Sequence, residues 1–218
     1  VATANAVKRG GEDTIESVDL YGMSNLIAAA QAAGVRRFQY VSVPGAAPEH
    51  PIALFRYKGI NEVALQKSGM NYTIFRPTVF MEVWIGSVVG IPLVTRQAIC
   101  LMGKGDHHHN FISEADVAAF MLAALEAPRA TNQILTIGGP ASYTWTEIVA
   151  AAGKILGTSL PVEYLPFETP VPYLPEGMQP VFTGMETFET YVDMSEHAPA
   201  YGVRLTGLEE FLKGMLWK

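Results

Sequence analysis

Apolar residues recur along the chain with two alternating patterns, one typical of strands and one typical of helices. Residues 1–7 resemble the end of a buried strand followed by a turn, and residues 14–33 have apolar positions at helical spacing before Gly34. The segment RRFQYVSV predicts a strand, a second helix follows until Ser68 and Gly69, and NYTIFRP predicts the next strand. Strands and helices that alternate at this spacing form parallel βαβ units with right-handed crossovers.

The pattern is less regular after residue 77, but further elements are predicted. They are strands in RQAICLM and NQILTIGG and helices in SEADVAAFMLAALEAP, TWTEIVAAAGKILG and TGLEEFLKGMLWK. Ser113 and Thr206 are the expected N-caps of the first and last of these helices, and Thr144 with Glu147 predicts a capping box. Asp116 is expected to stabilise the first turn of its own helix. Six prolines between residues 160 and 180 indicate loops over a cleft.

Composition narrows the class of protein. The 218 residues carry a net charge of −6 and no basic run, which argues against a nucleic-acid partner. No apolar run approaches the roughly 20 residues of a membrane span. A single cysteine, Cys100, excludes an internal disulfide and fits a reducing compartment. We therefore expect a cytoplasmic globular protein with no nucleic-acid or membrane partner.

The carboxyl ends of the predicted strands indicate where a ligand would lie. Parallel sheets bind ligands beyond these ends. Three segments follow predicted strands, at residues 3–5, 42–44 and 76–78. We expect them to line one crevice, although the fold alone names no reaction.

Four segments together resemble the NmrA-like branch of the atypical short-chain dehydrogenase/reductase superfamily. They are VDLYGMSNLIAAAQAAGVRRFQYVSV, YKGINEVALQKSGMNYTIFRPTVFME, FISEADVAAFMLAALEAP and ILTIGGPASYTWTEI, and the resemblance covers residues 1–157. It implies an α/β fold, a Rossmann-type doubly wound parallel sheet with a small C-terminal substrate lobe. It also implies NADP or NAD as the cofactor. Some members of this family are reductases, and others are redox sensors without turnover.

Members of this family begin with a strand and a Gly-x-x-Gly-x-x-Gly turn, and by resemblance Val1 matches the end of the fourth strand. The pair Gly10-Gly11 lacks the glycine spacing of that turn. We therefore expect an N-terminally truncated fragment that lacks the first strands of the sheet. As a fragment, it is expected to bind NADP poorly and to associate through its first strand.

The resemblance also implies a division into domains. Residues 1–137 would form the C-terminal part of the NAD(P)-binding domain, including a cleft-lining insertion at about 78–113. Residues 138–218 would form mostly the substrate-binding lobe, with shared sheet elements. This lobe is expected to set substrate choice.

The catalytic set of the superfamily is Asn, Ser, Tyr and Lys, and the matching positions are Asp19, Ser42, Leu54 and Lys58. The tyrosine donates a proton, while the lysine lowers its pKa and binds the cofactor ribose. Leucine has no proton to donate, and the neighbouring Tyr57 lies about 100° away around the helix. The resemblance implies that Ser42 and Lys58 are the catalytic residues.

Two of these residues have structural alternatives. Lys58 is four residues before Glu62, so it is also a candidate for an exposed ion pair along the helix. Ser42 is equally a candidate to cap the turn after its strand.

The resemblance and the strand ends together imply further contacts. The candidate cofactor-binding residues are Ala4, Asn5, Ser42, Lys58, Pro77, Thr78 and Phe80, and the candidate substrate contacts are Phe80, Trp84 and Tyr164. Core packing is the alternative for Phe80 and Trp84. Four aromatic residues of the C-terminal lobe would roof the crevice, with a packed surface as the alternative: Tyr164, Phe167, Tyr173 and Phe182.

Three consecutive histidines, at positions 107–109, raise the question of a metal site. Neighbouring residues of an extended segment point to opposite sides, so the three side chains do not converge on one ion. We predict no metal and a solvated loop near the cofactor cleft instead.

Taken together, these residues predict an NAD(P)-binding reductase-like protein that acts on a small apolar or quinone-like carbonyl substrate. The alternative is a non-catalytic NAD(P)-binding redox sensor or regulatory protein, because Leu54 replaces the proton donor. A structural subunit is the third class. Whether the protein turns over a substrate, whether it prefers NADP or NAD, and its oligomeric state all remain open at this point.

Overall fold

The computed structural model describes residues 1–6 and 12–217, so Gly10 and Gly11 lie outside the described residues. The strands are β1 (Arg37–Val41), β2 (Asn71–Pro77), β3 (Val79–Phe80), β4 (Ile99–Met102), β5 (His109–Ile112), β6 (Gln133–Ile137), β7 (Ser142–Tyr143) and β8 (Val162–Leu165). The α-helices are α1 (Met23–Ala32), α2 (Ala53–Lys67), α3 (Met81–Ile85), α4 (Ile91–Thr95), α5 (Glu114–Glu126), α6 (Trp145–Leu156), α7 (Gln179–Met185), α8 (His197–Ala200) and α9 (Leu208–Leu216). Shorter π-helical segments span Glu16–Gly22 and Gly86–Gly90, and 3₁₀ turns span Pro128–Ala130 and Glu176–Met178.

The chain divides into two compact units. The first unit comprises Val1–Pro77 and Ala119–Ile137, and the second comprises Thr78–Ala118 and Gly138–Lys218.

The first unit is built on a parallel sheet in the order β1-β2-β6. On the other side of β1, the segment around Ala2 pairs in parallel with Tyr40. In that pairing the Ala2 amide donates to the Gln39 carbonyl at 2.9 Å, and the Val41 amide donates to the Ala2 carbonyl at 3.0 Å. The predicted α/β class with a parallel sheet is confirmed.

Buried apolar side chains on one side of β1 form one hydrophobic core cluster of the first unit. They come from the Ala2 segment, α1, β1, the end of α2 and β2, and comprise Ala2, Met23, Ile27, Phe38, Tyr40, Leu65, Met70 and Ile74. Burial of such side chains contributes roughly 1.5–3 kcal/mol each and fixes the register of β1 against its neighbours.

The first predicted helix has an irregular beginning. Its Glu16–Gly22 segment is π-helical, and α1 continues from Met23. Of the seven residues of this segment, Asp19 is the one that is buried. Because a π-turn adds a residue to the helical turn, it redirects the side chains that follow, and such turns are frequent at functional sites.

The second unit contains the sheet β3-β5-β7 and the parallel pair β4-β8. The predicted capping box of α6 is confirmed, since the Glu147 amide donates to Thr144 Oγ1 at 3.1 Å and the Thr144 amide donates to Glu147 Oε2 at 2.9 Å. The last helix differs from the prediction because its N-cap is Gly207. Thr206 instead donates from its amide and its hydroxyl to the Asp116 carboxylate, both at 2.8 Å. Asp116 therefore holds the chain ahead of α9, beyond its expected role in its own helix.

Aromatic side chains fill the core of the second unit. The ring of Trp145 lies 5.4 Å from that of Phe111 and 5.6 Å from that of Phe182. Phe182 has no exposed surface, so its expected role as a roof over a ligand is wrong. The Tyr173 hydroxyl accepts a hydrogen bond from the Cys100 amide at 2.8 Å, which ties this aromatic residue to β4.

Among the described residues, no helix combines the length and the apolar character that crossing a bilayer requires.

Candidate functional site

The Lys58 side chain lies at the carboxyl end of β1, within the first unit. Its ammonium donates to the Val41 carbonyl at 3.3 Å and to the Ala4 carbonyl at 3.4 Å. Ser42 directly follows Val41 along the chain. The structure thus brings together three of the residues that the sequence proposed for the site, Ala4, Ser42 and Lys58, while Asn5 is exposed next to Ala4.

The third partner of the Lys58 ammonium is Asp19, whose Oδ1 lies 3.3 Å from Nζ. The two side chains are 5% and 0% exposed. Burial lowers the pKa of Lys58, and the Asp19 carboxylate opposes this shift by favouring the charged ammonium. The alternative of an exposed pair with Glu62 is wrong, because Lys58 is buried and its ion pair is with Asp19.

Glu62 pairs with Arg76 instead. Arg76 Nε donates to Glu62 Oε1 at 3.0 Å and Nη2 donates to Oε2 at 2.6 Å, which is a bidentate arrangement. Nη2 also donates to the Ala46 carbonyl at 3.0 Å. This pair ties α2 to β2 and to the loop after β1, so it fixes the helix on which Lys58 lies.

Gly59 allows α2 to approach the loop after β1. A Cβ atom at this position would lie 2.4 Å from the carbonyl carbon of Ala47, a separation that atoms do not adopt without backbone movement. The helix therefore packs directly on the backbone at the position next to Lys58. Close packing here explains how a lysine on α2 reaches the carbonyl of Val41.

Three side chains near Lys58 bear on proton donation at the site, namely Leu54, Tyr57 and Tyr40. Leu54, four residues before Lys58 on α2, is half-buried and has no hydrogen to donate. The ring of Tyr57 lies 5.3 Å from the guanidinium of Arg56. The ring of Tyr40 lies 5.1 Å from Lys58 Nζ, but it is fully buried, and this burial raises the pKa of its hydroxyl. Tyr40 is therefore a poor acid.

Sequence reasoning missed Tyr40 as a neighbour of Lys58. The sequence did indicate this neighbour: Tyr40 lies two residues before Ser42, and alternate residues of a strand have their side chains on the same face.

The Ser42 hydroxyl is buried and has no hydrogen-bond partner among the residues that the structure describes. The Ser42 amide donates to the Phe75 carbonyl at 2.7 Å, which continues the ladder between β1 and β2. The side chain therefore does not cap the next turn. Buried polar groups without a partner are uncommon, and at the end of a strand they indicate a place for a ligand or a water molecule.

The remaining candidates lie on β2 or in the second unit. Pro77 is buried as the last residue of β2. In the second unit, the Thr78 hydroxyl donates to Asn110 Oδ1 at 3.0 Å. Phe80 is half-buried on β3 opposite Ile112, and the half-buried Trp84 stacks on Phe182 with the ring centroids 6.2 Å apart.

Tyr164 lies on β8 and is 56% exposed. It lines a groove of about 500 Å³ within the second unit, together with Leu101 and Lys154. Phe167 is also exposed. Their roles as substrate or roof residues stay predictions.

The expectation of a solvated loop at the three histidines is wrong for His109. His109 is fully buried as the first residue of β5, and burial lowers its pKa to about 4. His107 and His108 are half-buried, with Nδ1 atoms 3.7 Å from Glu186 Oε2 and 3.4 Å from Glu189 Oε1. Within residues 1–6 and 12–217, no group of three or more His, Cys, Asp or Glu side chains is arranged to hold a metal ion.

The residues at the end of β1 fit one half of a dinucleotide. The orphaned Ser42 hydroxyl can hydrogen-bond to a polar group, and the Lys58 ammonium lies at the strand end where a ribose would be bound. A Gly-x-x-Gly-x-x-Gly turn does not occur in the 218-residue sequence. The fit therefore concerns the nicotinamide and its ribose, and not the pyrophosphate.

Comparison with known proteins identifies the family of the chain. A family model described as NAD(P)H-binding matches residues 1–128. The chain is 31% identical over 140 residues to an NAD(P)H azoreductase of Xenophilus azovorans, which covers 64% of this chain and 47% of that protein. It is 27% identical over 166 residues to the photosystem II assembly factor Ycf39 of Synechocystis, which covers 76% and 50%. The chain thus spans about half the length of these curated relatives.

Solved structures agree on the fold. The NADPH complex of the quinone oxidoreductase QOR2 from Escherichia coli superposes with a TM-score of 0.73 at 22% identity, covering 89% of this chain and 70% of that one. The NAD and UDP-glucuronic acid complex of a UDP-glucuronic acid 4-epimerase from Bacillus cereus gives 0.71 at 16% identity, covering 96% and 70%. The structures show that the fold is of the Rossmann type, and the family match shows that the chain belongs to the NAD(P)H-binding family, in keeping with its resemblance to the NmrA-like atypical short-chain dehydrogenases/reductases.

Proposed function

We propose that the protein is an NAD(P)H-dependent reductase of a small quinone-like carbonyl compound. The observation that carries this proposal is that the buried Lys58 forms an ion pair with Asp19 while Leu54 stands at the position of the proton donor. The bound nicotinamide would supply a hydride. Hydride addition to a simple ketone gives an alkoxide, which needs an acid beside it. Hydride addition to a quinone gives a hydroquinone anion, whose charge is delocalised and which takes its proton from water.

In this proposal the residues of the chain bind, orient and stabilise charge. Lys58 holds a ribose hydroxyl, and its positive charge favours the anion that forms on the substrate. The Ser42 hydroxyl, which has no partner among the described residues, donates to the carboxamide or to a substrate oxygen. The names of two relatives, an azoreductase and a quinone oxidoreductase, support an acceptor that tolerates the absence of a strong acid.

The test is steady-state oxidation of NADPH and NADH by the intact protein. The acceptors are a panel of quinones, simple aldehydes and ketones, and an azo dye. We expect quinones to be reduced at least about tenfold faster than simple ketones, since general-acid catalysis typically contributes 10²–10⁴-fold where an acid is needed. Equal rates with ketones and quinones, or no reaction with any acceptor, would contradict the proposal.

The second candidate function is a redox sensor that binds NAD(P) without turnover. It is favoured by Leu54, which has no proton to donate at the position of the catalytic tyrosine. The similarity to assembly factors named Ycf39 is in keeping with a role of this kind. Tight cofactor binding without oxidation in the panel would favour the sensor, and absence of both would leave a structural role.

A further inference from the structure

Asp19 is the residue on which the arrangement of the Lys58 ammonium depends. It is fully buried, and its two carboxylate oxygens have different partners. Oδ1 lies 3.3 Å from Lys58 Nζ, and Oδ2 accepts a hydrogen bond from the Ala6 amide at 3.0 Å. One carboxylate therefore contacts both the ammonium and the backbone just beyond Ala4.

The backbone of Asp19 is held as well. The side-chain amide of Asn61, which lies on α2 three residues after Lys58, donates to the Asp19 carbonyl. Asn61 is fully buried, and its Oδ1 accepts from the Ser24 hydroxyl at 3.3 Å. The π-helical segment and α2 are thus fixed to each other beside the ion pair, so Asp19 has little freedom to turn away.

The buried charges of Asp19 and Lys58 stabilise each other. A buried ammonium or carboxylate without a partner costs several kcal/mol, so removal of one member leaves the other strongly destabilised. Glu62, the other buried acid near Lys58, is engaged by Arg76 in two hydrogen bonds. Asp19 is consequently the carboxylate available to keep Lys58 charged.

The three contacts of the ammonium are long for hydrogen bonds, at 3.3–3.4 Å. Typical N–H···O distances are near 2.9 Å, so the two contacts with carbonyls are weak. A ribose hydroxyl could replace either carbonyl, whereas the charge attraction of Asp19 persists when the neutral partner changes.

We propose that Asp19 is the positioning residue of the site: it keeps the Lys58 ammonium charged and directed at the ends of β1 and the Ala2 segment, where its weak carbonyl contacts are exchanged for a ligand hydroxyl. This proposal rests on the proposed function only for the identity of that ligand. The pairing itself is a property of the free protein and can be measured without a cofactor.

The experiment compares the intact wild-type protein with Asp19→Asn, which keeps the shape of the side chain and removes its charge. The first readout is NMR titration of the lysine side chains, with Lys58→Met used to assign the Lys58 signal. We expect the pKa of Lys58 to be lower in Asp19→Asn than in the wild type, because burial then acts without its counter-charge. An unchanged Lys58 pKa would overturn the proposal.

The second readout is NADPH affinity, measured by fluorescence titration. We expect at least about a tenfold weaker affinity in Asp19→Asn, which corresponds to 1.4 kcal/mol. A lowered Lys58 pKa together with full NADPH affinity would support the Asp19–Lys58 pairing and count against the cofactor role of Lys58. The two failures are therefore distinguishable.

A third variant keeps the test valid if Asp19→Asn does not fold. In Asp19→Asn/Lys58→Met both charges are absent, so no unpaired buried charge remains. We expect this double variant to be more stable than Asp19→Asn, by more than tenfold in the unfolding equilibrium constant, and to fold where Asp19→Asn does not. A double variant that is no more stable than Asp19→Asn, or that fails to fold as Asp19→Asn does, would overturn the proposal.

Discussion

At the scale of single residues, the proposed chemistry depends on position 54. Leu54 lies one helical turn before Lys58, where the superfamily that the sequence resembles has a tyrosine. The nearby phenol of Tyr40 does not replace it, because Tyr40 is fully buried beneath the ammonium. The proposed preference for quinone-like substrates follows from this one difference in side chain.

Leu54→Tyr tests this difference directly. A phenol at this position supplies the missing acid, so we expect NADPH oxidation with simple aldehydes to rise by about tenfold or more. Leu54→Phe is the matched control, since it adds the ring without the hydroxyl. NADPH oxidation is followed by the loss of its absorbance. An equal rise in the phenylalanine variant would show that ring size, and not proton donation, limits the wild type.

His109 makes stability depend on pH. Because burial lowers its pKa to about 4 from an ordinary 6.5, the folded protein binds fewer protons there than the unfolded chain between these pH values. The stabilisation is complete above pH 6.5 and decreases as the pH falls towards 4, by at most about 1.4 kcal/mol per pH unit. The charges of the nearby His107, His108 and Glu189 also act on His109.

The measurement is the free energy of unfolding in urea at pH 7 and pH 4.5. His109→Phe should lose less stability on acidification than the wild type, while a variant of the exposed His197, His197→Gln, should behave like the wild type. If His109→Phe and the wild type show the same pH dependence, His109 is not the group responsible.

At the scale of secondary-structure elements, the position of α2 against the sheet determines whether Lys58 reaches the strand ends. The helix packs on the backbone of Ala47 at Gly59 and is tied to β2 by the Glu62–Arg76 pair. Both contacts lie within a few residues of Lys58. A shift of α2 away from the sheet would therefore break the ammonium contacts with Ala4 and Val41.

Gly59→Ala should destabilise the first unit by about 2 kcal/mol or more, because the added Cβ overlaps the Ala47 backbone. Gly214→Ala is the control, since Gly214 lies in α9 and a Cβ there would meet no atom within 4 Å. That variant should be neutral or more stable by about 0.5–1 kcal/mol, as alanine favours a helix. Urea unfolding of both variants measures the difference, and equal destabilisation would contradict the packing described for α2.

Elements with local signals were predictable from the sequence, and those that depend on distant residues were not. The capping box at Thr144 and Glu147 uses residues three apart, so the sequence displays it directly. Thr206 satisfies the same local rule but binds Asp116, which lies 90 residues away. The Asp19–Lys58 pair likewise joins α2 to a π-helical segment, and no local pattern indicates that Asp19 turns inward.

At the scale of the whole molecule, the family match and the site lie in the same part of the chain. The match covers residues 1–128, which include Asp19, Ser42 and Lys58. The groove beside Tyr164 lies in the second unit, and its lining residues other than Leu101 lie beyond the matched residues, so the family match concerns the cofactor site more than this groove. The central claim concerns the cofactor site, namely that Lys58 holds the nicotinamide half of the cofactor.

Titration of NADPH into the intact protein and into Lys58→Met tests that claim most directly. Lys67→Met is the control, because Lys67 is exposed at the end of the same helix. We predict that the dissociation constant rises by about tenfold or more in Lys58→Met, the cost of one lost charge-assisted hydrogen bond, and stays unchanged in Lys67→Met. A folded Lys58→Met protein that binds NADPH as tightly as the wild type would contradict the account.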